Sequence, residues 1–576
     1  MGGVVGKHGS FLLDHSMDDV FLRELKADSL KHSPVSTITG GDQPPPYKDD
    51  PSRLLETPAD RKARKISHWV AYSTMFVMNM GFSVVLSGVW PYLHEELAPD
   101  LSKTSLGWVV AANPFGQMLA SPLIGLWGKK SGSIRLPCLS SIVFFILGNI
   151  MYSLLSNFIK MGAKAPYYAM IVSRFIVGVS SANITLCRSY LADSTTLEER
   201  TIGMTIIAAA QSLGFVIGPV LQTVMTVAIP DEVDTGIDWL RWNKYTATGW
   251  TAAALGLINL VLLMPCVFKE YNIAEKERGL YKSAESNIKL PSPDYLGICG
   301  ALLSFFIVMF IYVLLETLAV PFVMDQYAWS ENQAMVVVGI GLSIGGLLTV
   351  AMYAVSGVLV KKYNEKKVMF ILGFIPMIVG TFLFLPWGDN YLKMEKCYTD
   401  DNSNVTAMTG FTTGTTIETN SFYLSDTFLV HSQQEDKNCS LGCPEIQTWC
   451  AHTPVLPQAQ LAVAFTLDLL GFPVAQAIIQ ALFSKMLGPK PQGVWMGVLT
   501  GVGSLSRIMG PVFVSYIYTY YGTRWCFSIL TVAIILAMAE LSLLYKRLIP
   551  MKIPHRNGQV NNNGSVRNEH TREQAF

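Results

Sequence analysis

Apolar runs of about 20 residues or more alternate with short charged segments along most of this chain. As an α-helix, a run of that length crosses a hydrocarbon core about 30 Å thick. The pattern predicts twelve such helices, spans 1 to 12, at residues 68–93, 104–128, 134–159, 166–192, 202–229, 246–268, 294–324, 332–360, 367–387, 458–486, 493–520 and 524–545. A helix satisfies its own backbone groups inside lipid, so the pattern predicts an all-α membrane protein embedded in the bilayer. Half of the 576 residues are hydrophobic and only 15% are charged, against about a quarter in soluble domains. A net charge of +1 gives no reason to expect nucleic acid as a partner.

The charges that remain are segregated. Arg61, Lys62, Arg64 and Lys65 precede span 1; Lys129, Lys130 and Arg135 follow span 2; Lys361, Lys362, Lys366 and Lys367 follow span 8; Lys546 and Arg547 follow span 12. All fall on one side, which the positive-inside rule makes cytosolic. Glu95, Glu96, Asp100, Asp231, Glu232 and Asp234 fall on the other. An even number of spans then places both termini in the cytosol. The expected organisation is a polar, disordered tail at 1–65, a six-helix half at 66–268, a charged connector at 269–292, a second six-helix half at 293–548 and a disordered tail at 549–576.

Residues 388–457, between spans 9 and 10, differ in character. They contain two glycosylation sequons, at Asn404 and Asn438, and four cysteines, Cys397, Cys439, Cys443 and Cys450. On the non-cytosolic side these predict a glycosylated loop with up to two disulfides, of which three pairings are open. Zinc is the rival reading of close cysteine spacing; the oxidising side favours disulfides. The sequon at Asn183 lies inside span 4 and is expected to be unmodified.

Two short patterns occur twice. Gly125-Leu126-Trp127-Gly128-Lys129-Lys130 after span 2 is echoed by Gly357-Val358-Leu359-Val360-Lys361-Lys362 after span 8. Ser212-Leu213 with Gly218-Pro219 in span 5 is echoed by Ser504-Leu505 with Gly510-Pro511 in span 11. The offsets are 232 and 292 residues, and their difference matches the long loop. A duplicated six-plus-six bundle with one insertion explains both, with a substrate site between the halves. The loop after span 2 resembles the G-x-x-x-D-R-x-G signature of the major facilitator superfamily, with Gly125 and Gly132 in place and Lys129 at the acidic position. That substitution removes the usual cytosolic charge latch. Gly214-x-x-x-Gly218-Pro219 resembles the superfamily's antiporter-type signature; glycine packing plus a proline kink is its physical use.

Further stretches carry the resemblance. They are Gly81-Phe82-Ser83-Val84-Val85 and Trp90-Pro91-Tyr92-Leu93 in span 1, Met324-Asp325-Gln326-Tyr327-Ala328-Trp329 at the end of span 7, and Leu487-Gly488-Pro489-Lys490-Pro491-Gln492-Gly493 before span 11. Over roughly residues 66–548 the chain resembles an endolysosomal branch of that superfamily. The resemblance implies the twelve-helix major facilitator fold and a transporter in lysosomal and late endosomal membranes, with chloride conductance as the proposed activity.

Charges at membrane depth cost about 2.5–3.5 kcal/mol on insertion scales, so each needs a partner or a wet cavity. In span 4, Arg174 and Arg188 are 14 residues apart. On a continuous helix this puts them within about 40° of each other and about 21 Å apart. Arg188 is near the cytosolic end, where it can snorkel, and a carboxylate on another helix is the static alternative for Arg174. Glu316 is in span 7, Asp468 near the middle of span 10 and Arg507 at similar depth in span 11. The resemblance implies that spans 1, 4, 7 and 10 line the cavity. Burial and a neighbouring Arg pull a carboxylate's proton affinity in opposite directions, which suits a proton carrier. Glu316 or Asp468 is therefore expected to take a proton, while Arg174 or Arg507 holds a small anionic substrate. The rival reading is a set of structural ion pairs between the halves. Asp193, Glu199 and Arg200, after span 4, are expected to steady the closed cytosolic gate. No phosphate loop, metal-ligand cluster or nucleophile–histidine pair points to an enzyme or a cofactor. A channel-like chloride conductance and a non-transporting scaffold are the alternatives to a carrier.

The first tail holds two sorting or docking signals. Asp50-Pro51-Ser52-Arg53-Leu54-Leu55 fits an acidic dileucine signal read by clathrin adaptors, and Pro44-Pro45-Pro46-Tyr47 fits a WW-domain ligand.

Overall fold

Each predicted span coincides with a helix in the computed structural model, which describes residues 56–86, 88–98, 104–229, 240–265, 267–276, 292–395, 397–398, 438–439, 441–444, 447–488 and 491–551. Span 1 is Pro58–Leu86, continued by Val89–Pro91 and a π turn at Tyr92–Leu97. Spans 2 and 3 are Thr104–Ser131 and Arg135–Ser153. Span 4 has two pieces, Ala165–Ser180 and Asn183–Ser194. Spans 5 to 8 are Leu197–Ala228, Lys244–Leu262, Tyr295–Tyr327 and Glu331–Lys362. Span 9 runs from Glu365–Val368 through a π turn at Met369–Phe374 to Ile375–Leu383, and span 10 is Gln458–Leu487. Spans 11 and 12 are one helix, Gly493–Leu543, broken at Gly522.

Eleven segments among the described residues have the length and apolarity to cross a membrane. Polar residues start several helices as the sequence dictates. Thr196, Asp294 and Asn364 accept bonds from free N–H groups, and Asn243 with Thr246 and Ser330 with Gln333 form reciprocal capping boxes.

The spans all lie within one unit, Leu54–Phe576. One apolar core fills spans 1 to 6, through residues such as Met78, Ile142, Phe145, Val177 and Ala252. A second fills spans 7 to 12 and extends across to Ile184, Cys187, Leu191, Met204 and Ile207 of the first half. The halves therefore share a core near the ends of spans 4 and 5 that meet Ser194–Glu199. This is the basic end, where the exposed residues Lys129, Lys130, Lys361 and Lys362 gather.

Within the 388–457 loop, Cys443 and Cys450 are joined by a disulfide, which selects among the predicted pairings. Cys397–Tyr398 pairs antiparallel with Asn438–Cys439, placing the Cys397 backbone opposite that of Cys439. Asn404 lies outside the described residues, as do the tail signals Pro44, Pro45, Tyr47, Asp50, Leu54 and Leu55. The loop docks on the membrane helices through Trp449, whose indole N–H donates to the Thr519 carbonyl at 3.1 Å and whose ring stands edge-on to Tyr518. Trp449 also fills the corner at Gly522, where φ is +85° and an added Cβ would sit 2.6 Å from the indole. Gly522→Ala is therefore expected to destabilise the protein by about 1–3 kcal/mol from the glycine-type backbone conformation alone, with the Trp449 clash added. Thermal unfolding of the purified protein in detergent measures this; an unchanged midpoint would show that the corner is not strained.

Candidate functional site

The site has two levels, a seal at the basic end and a pair of pockets at mid-span. At the seal, Gly125 of span 2 rests directly on the backbone of Gly493 at the start of span 11, so that a methyl on either glycine would collide with the other's carbonyl. One turn further in, Gly497 packs in the same way on Ser121. This backbone contact closes the end where the signature's acidic position holds Lys129. Gly132 takes φ +65° in the turn that follows, a conformation glycine adopts without strain.

Charges reinforce the seal, although not all in the expected way. Arg64, fully buried, donates to Glu56 at 2.6 and 2.9 Å, to Glu199 at 2.9 Å and to the Ser194 carbonyl at 2.9 Å. Glu199 thus ties span 5 to span 1 inside the first half and does not cross to the second. Arg200 does cross, donating to the Ser484 carbonyl at 3.5 Å, and Asp193 stands within electrostatic reach of Arg200 and the Gln492 backbone. The strongest crossing group is one the sequence reading missed. Glu365, at the start of span 9, accepts from Thr201 at 2.7 Å and pairs with Lys485 at 2.8 Å.

The glycines of span 5 serve the first half. A Cβ on Gly214 would sit 2.6 Å from the Phe76 carbonyl, and one on Gly218 would run into Ser83, whose hydroxyl donates to the Gly214 carbonyl at 3.1 Å. Pro219 lies inside the same helix and Pro511 follows Gly510 inside span 11. The sequence echo therefore corresponds to two proline-bearing helices. Gly510 is looser, with Val313 at 3.2 Å from its added Cβ.

At mid-span a polar pocket lies between the halves. The first half supplies Asn79, Asn113, Gln117, Ser181 and Asn183, and the second half supplies Arg507. Span 4 meets it where its two helical pieces join through a short turn at Ser181–Ala182. Asn183 is completely buried, and neither its amide oxygen nor its nitrogen has a hydrogen-bond partner; Asn113 Nδ2 also has none. Gln117 donates to the Ser181 carbonyl at 3.1 Å and accepts from Ser504 at 2.9 Å, which links the halves beside the pocket. These amides were visible in the sequence as polar residues inside apolar runs, the signal that marks intramembrane function.

A second pocket lies within the second half, lined by Tyr312, Glu316, Phe465, Asp468, Phe472 and apolar neighbours. Glu316 and Asp468 therefore share a cavity. Arg507 lies within electrostatic reach of Glu316 and Tyr312. Three of the four charges expected to form one pathway thus line these two pockets, with Glu316 and Arg507 within electrostatic reach of each other.

Arg174 is not with them. It is 2% exposed, lines neither pocket and lies over the Tyr152 ring with its guanidinium carbon 4.7 Å from the centroid. The cation–π contact stands where a carboxylate partner was the static alternative. Arg188 is also buried and does not snorkel. It donates to Gln211 at 3.0 Å and lies within electrostatic reach of Arg507. Arg174 and Arg188 therefore have separate surroundings, Tyr152 for the first and Gln211 for the second.

A model of the Major Facilitator Superfamily matches residues 71–427 and 447–571. The chain is 35% identical over 505 residues to Major facilitator superfamily domain-containing protein 8 of Xenopus laevis, across 86% of this chain and 94% of that protein. Among solved structures, it is similar in fold to the proton:xylose symporter XylE, with a TM-score of 0.55 at 12% identity over 85% of this chain and 98% of that one. It is also similar to the human organic anion transporter TETRAN, with a TM-score of 0.52 at 16% identity over 84% of this chain and 100% of that one.

Proposed function

This chain belongs to the major facilitator superfamily, and from that premise we propose that it carries a small anionic solute across the endolysosomal membrane by alternating access. The observation that carries the reading is Arg507. It is the cationic side chain of an interhalf pocket whose other polar groups are neutral amides and a hydroxyl. A guanidinium with amide donors around it suits a carboxylate or an inorganic anion. Glu316, near Arg507, is the group assigned to proton coupling. In its neutral form it leaves Arg507 free to hold the anion; in its charged form it competes for the same cation.

The positive-inside rule assigns the basic end to the cytosol, so the seal at Gly125 and Gly493 is the closed cytosolic gate of the cycle. Delivery to lysosomes is assigned to Asp50, Leu54 and Leu55 through a clathrin adaptor, and Pro44, Pro45 and Tyr47 to a WW-domain partner. Asn404 and Asn438 are the assigned glycan sites in the lumen.

Flux in proteoliposomes under an imposed pH gradient tests the reading, with chloride first and organic anions next. The expected result is saturable wild-type uptake that rises with the gradient. In Glu316→Gln, the dependence on the gradient is expected to disappear while anion exchange persists. Full coupling in that variant would remove Glu316 from the mechanism. Current that grows linearly with voltage and does not saturate would replace the carrier with a channel.

A further inference from the structure

The pocket that holds Asp468 has a chemistry the anion reading does not use. Of its ten lining residues, two are carboxylates, three are aromatic (Tyr312, Phe465 and Phe472), and the other five are Ile311, Leu315, Leu342, Met377 and Leu469. Among the described residues no cationic one lines it. Glu316 has Arg507 within electrostatic reach, so one of the two acidic groups already has a nearby opposite charge. Asp468 is different. It is 4% exposed, and among the described residues neither of its oxygens has a hydrogen-bond partner.

The backbone around Asp468 makes room for this side chain. Gly380 of span 9 lies against it so closely that an added Cβ would sit 2.9 Å from the carboxylate. Gly471, one turn further along span 10, packs on Met377 and the Gly373 backbone. Spans 9 and 10 are thus pressed together on glycines, with the Asp468 side chain held beside the cavity. Tyr312 and Phe472 stack at 4.2 Å between centroids and form one flat wall.

We propose that this pocket binds an organic ammonium ion with an apolar or aromatic body, its charged nitrogen on Asp468 and its body against Tyr312, Phe465 and Phe472. A buried carboxylate without partners calls for a counter-charge. Aromatic faces attract cations, most strongly where water is excluded. Apart from Glu316, which has Arg507 as a counter-charge, and the Tyr312 hydroxyl, the remaining walls offer only apolar contact, so a small hydrated metal ion would find few of the six or more oxygen ligands it prefers. An amine that carries its own hydrophobic group satisfies the carboxylate and the walls together. The occupant differs in charge from the solute assigned to Arg507, and the inference does not depend on that assignment.

The test uses full-length purified protein in detergent and three isosteric probes: 2-phenylethylamine, 2-phenylethanol and 3-phenylpropanoate. Calorimetric titration is expected to show saturable binding of the amine, at least tenfold tighter than the neutral alcohol, with no binding of the carboxylate in this pocket. In Asp468→Asn the preference of amine over alcohol is expected to vanish. A second measurement needs no variant. Dicyclohexylcarbodiimide modifies buried carboxyl groups, and 2-phenylethylamine is expected to slow labelling of the Asp468 peptide at least fivefold, as read by mass spectrometry. Equal binding of amine and alcohol by the wild type, or labelling of Asp468 indifferent to the amine, would overturn the proposal and leave Asp468 as a site for a proton alone. The outcomes stay separate from the anion reading. Absent amine binding alongside anion flux that requires Arg507 would sink only this inference. Asp468-dependent amine binding alongside anion flux that does not require Arg507 would sink only the other.

Discussion

Replacing Arg507 with glutamine is expected to raise the half-saturating concentration for anion uptake by about 30- to 150-fold, equivalent to the loss of about 2–3 kcal/mol from charge-assisted hydrogen bonds. Glutamine keeps much of the volume and one donor but loses the charge and the planar fork. Arg507→Lys is expected to fall between, because it restores charge without the two-pronged geometry. The effect should be large because the first half offers the pocket only neutral groups, Asn79, Asn113, Gln117, Ser181 and Asn183. Arg188 lies further along the pathway and is already engaged with Gln211, so it does not substitute. Tracer uptake into proteoliposomes reads the outcome. Wild-type uptake by a folded Arg507→Gln protein would move the anion site out of this pocket.

Gly125→Val is expected to hold the basic end open. Closure there requires the backbones of Gly125 and Gly493 to touch, and a branched side chain on either helix cannot be accommodated without separating spans 2 and 11. The crossing bonds from Arg200 to Ser484 and from Thr201 to Glu365 lie at the same end and would be lost with the seal. Together they make a two-state contact whose closed form a single side chain removes, and uptake should fall by at least tenfold. Spin labels at the exposed residues Lys130 and Lys362, introduced as cysteines, report the distance between the halves. The expected result is a longer, broader distribution in Gly125→Val than in the same pair on the wild-type background. An unchanged distribution would mean that this contact is not the gate.

The particular residues show where reading the chain works and where it stops. Glu316 and Asp468 were expected to share a cavity, and both line one, the first as an exposed side chain and the second as a buried one. Arg174 was expected to join them and instead lies on Tyr152 inside the first half. The sequence does not say which residues of span 3 meet span 4, and so it hid the Tyr152 ring. Asn183, which in the sequence reads as a silent sequon, lines the central pocket. Glu365 and Lys485 were invisible for another reason. Both lie near helix ends, and only the meeting of Glu365 with Thr201 and with Lys485 distinguishes them from residues that simply face water.

The chain alone determined the number and approximate limits of the helices, the end that carries the basic residues, the duplication of the two halves and the oxidisable cysteines of the long loop. These follow from hydropathy, charge and spacing within windows of a few tens of residues, where the energy of leaving water dominates every alternative. Tertiary structure decided which buried charges share a pocket, which glycines form the seal, and which cysteine bonds to which. Those depend on the rotation of each helix about its axis and on its neighbours, and the energy differences involved arise only when distant parts of the chain touch.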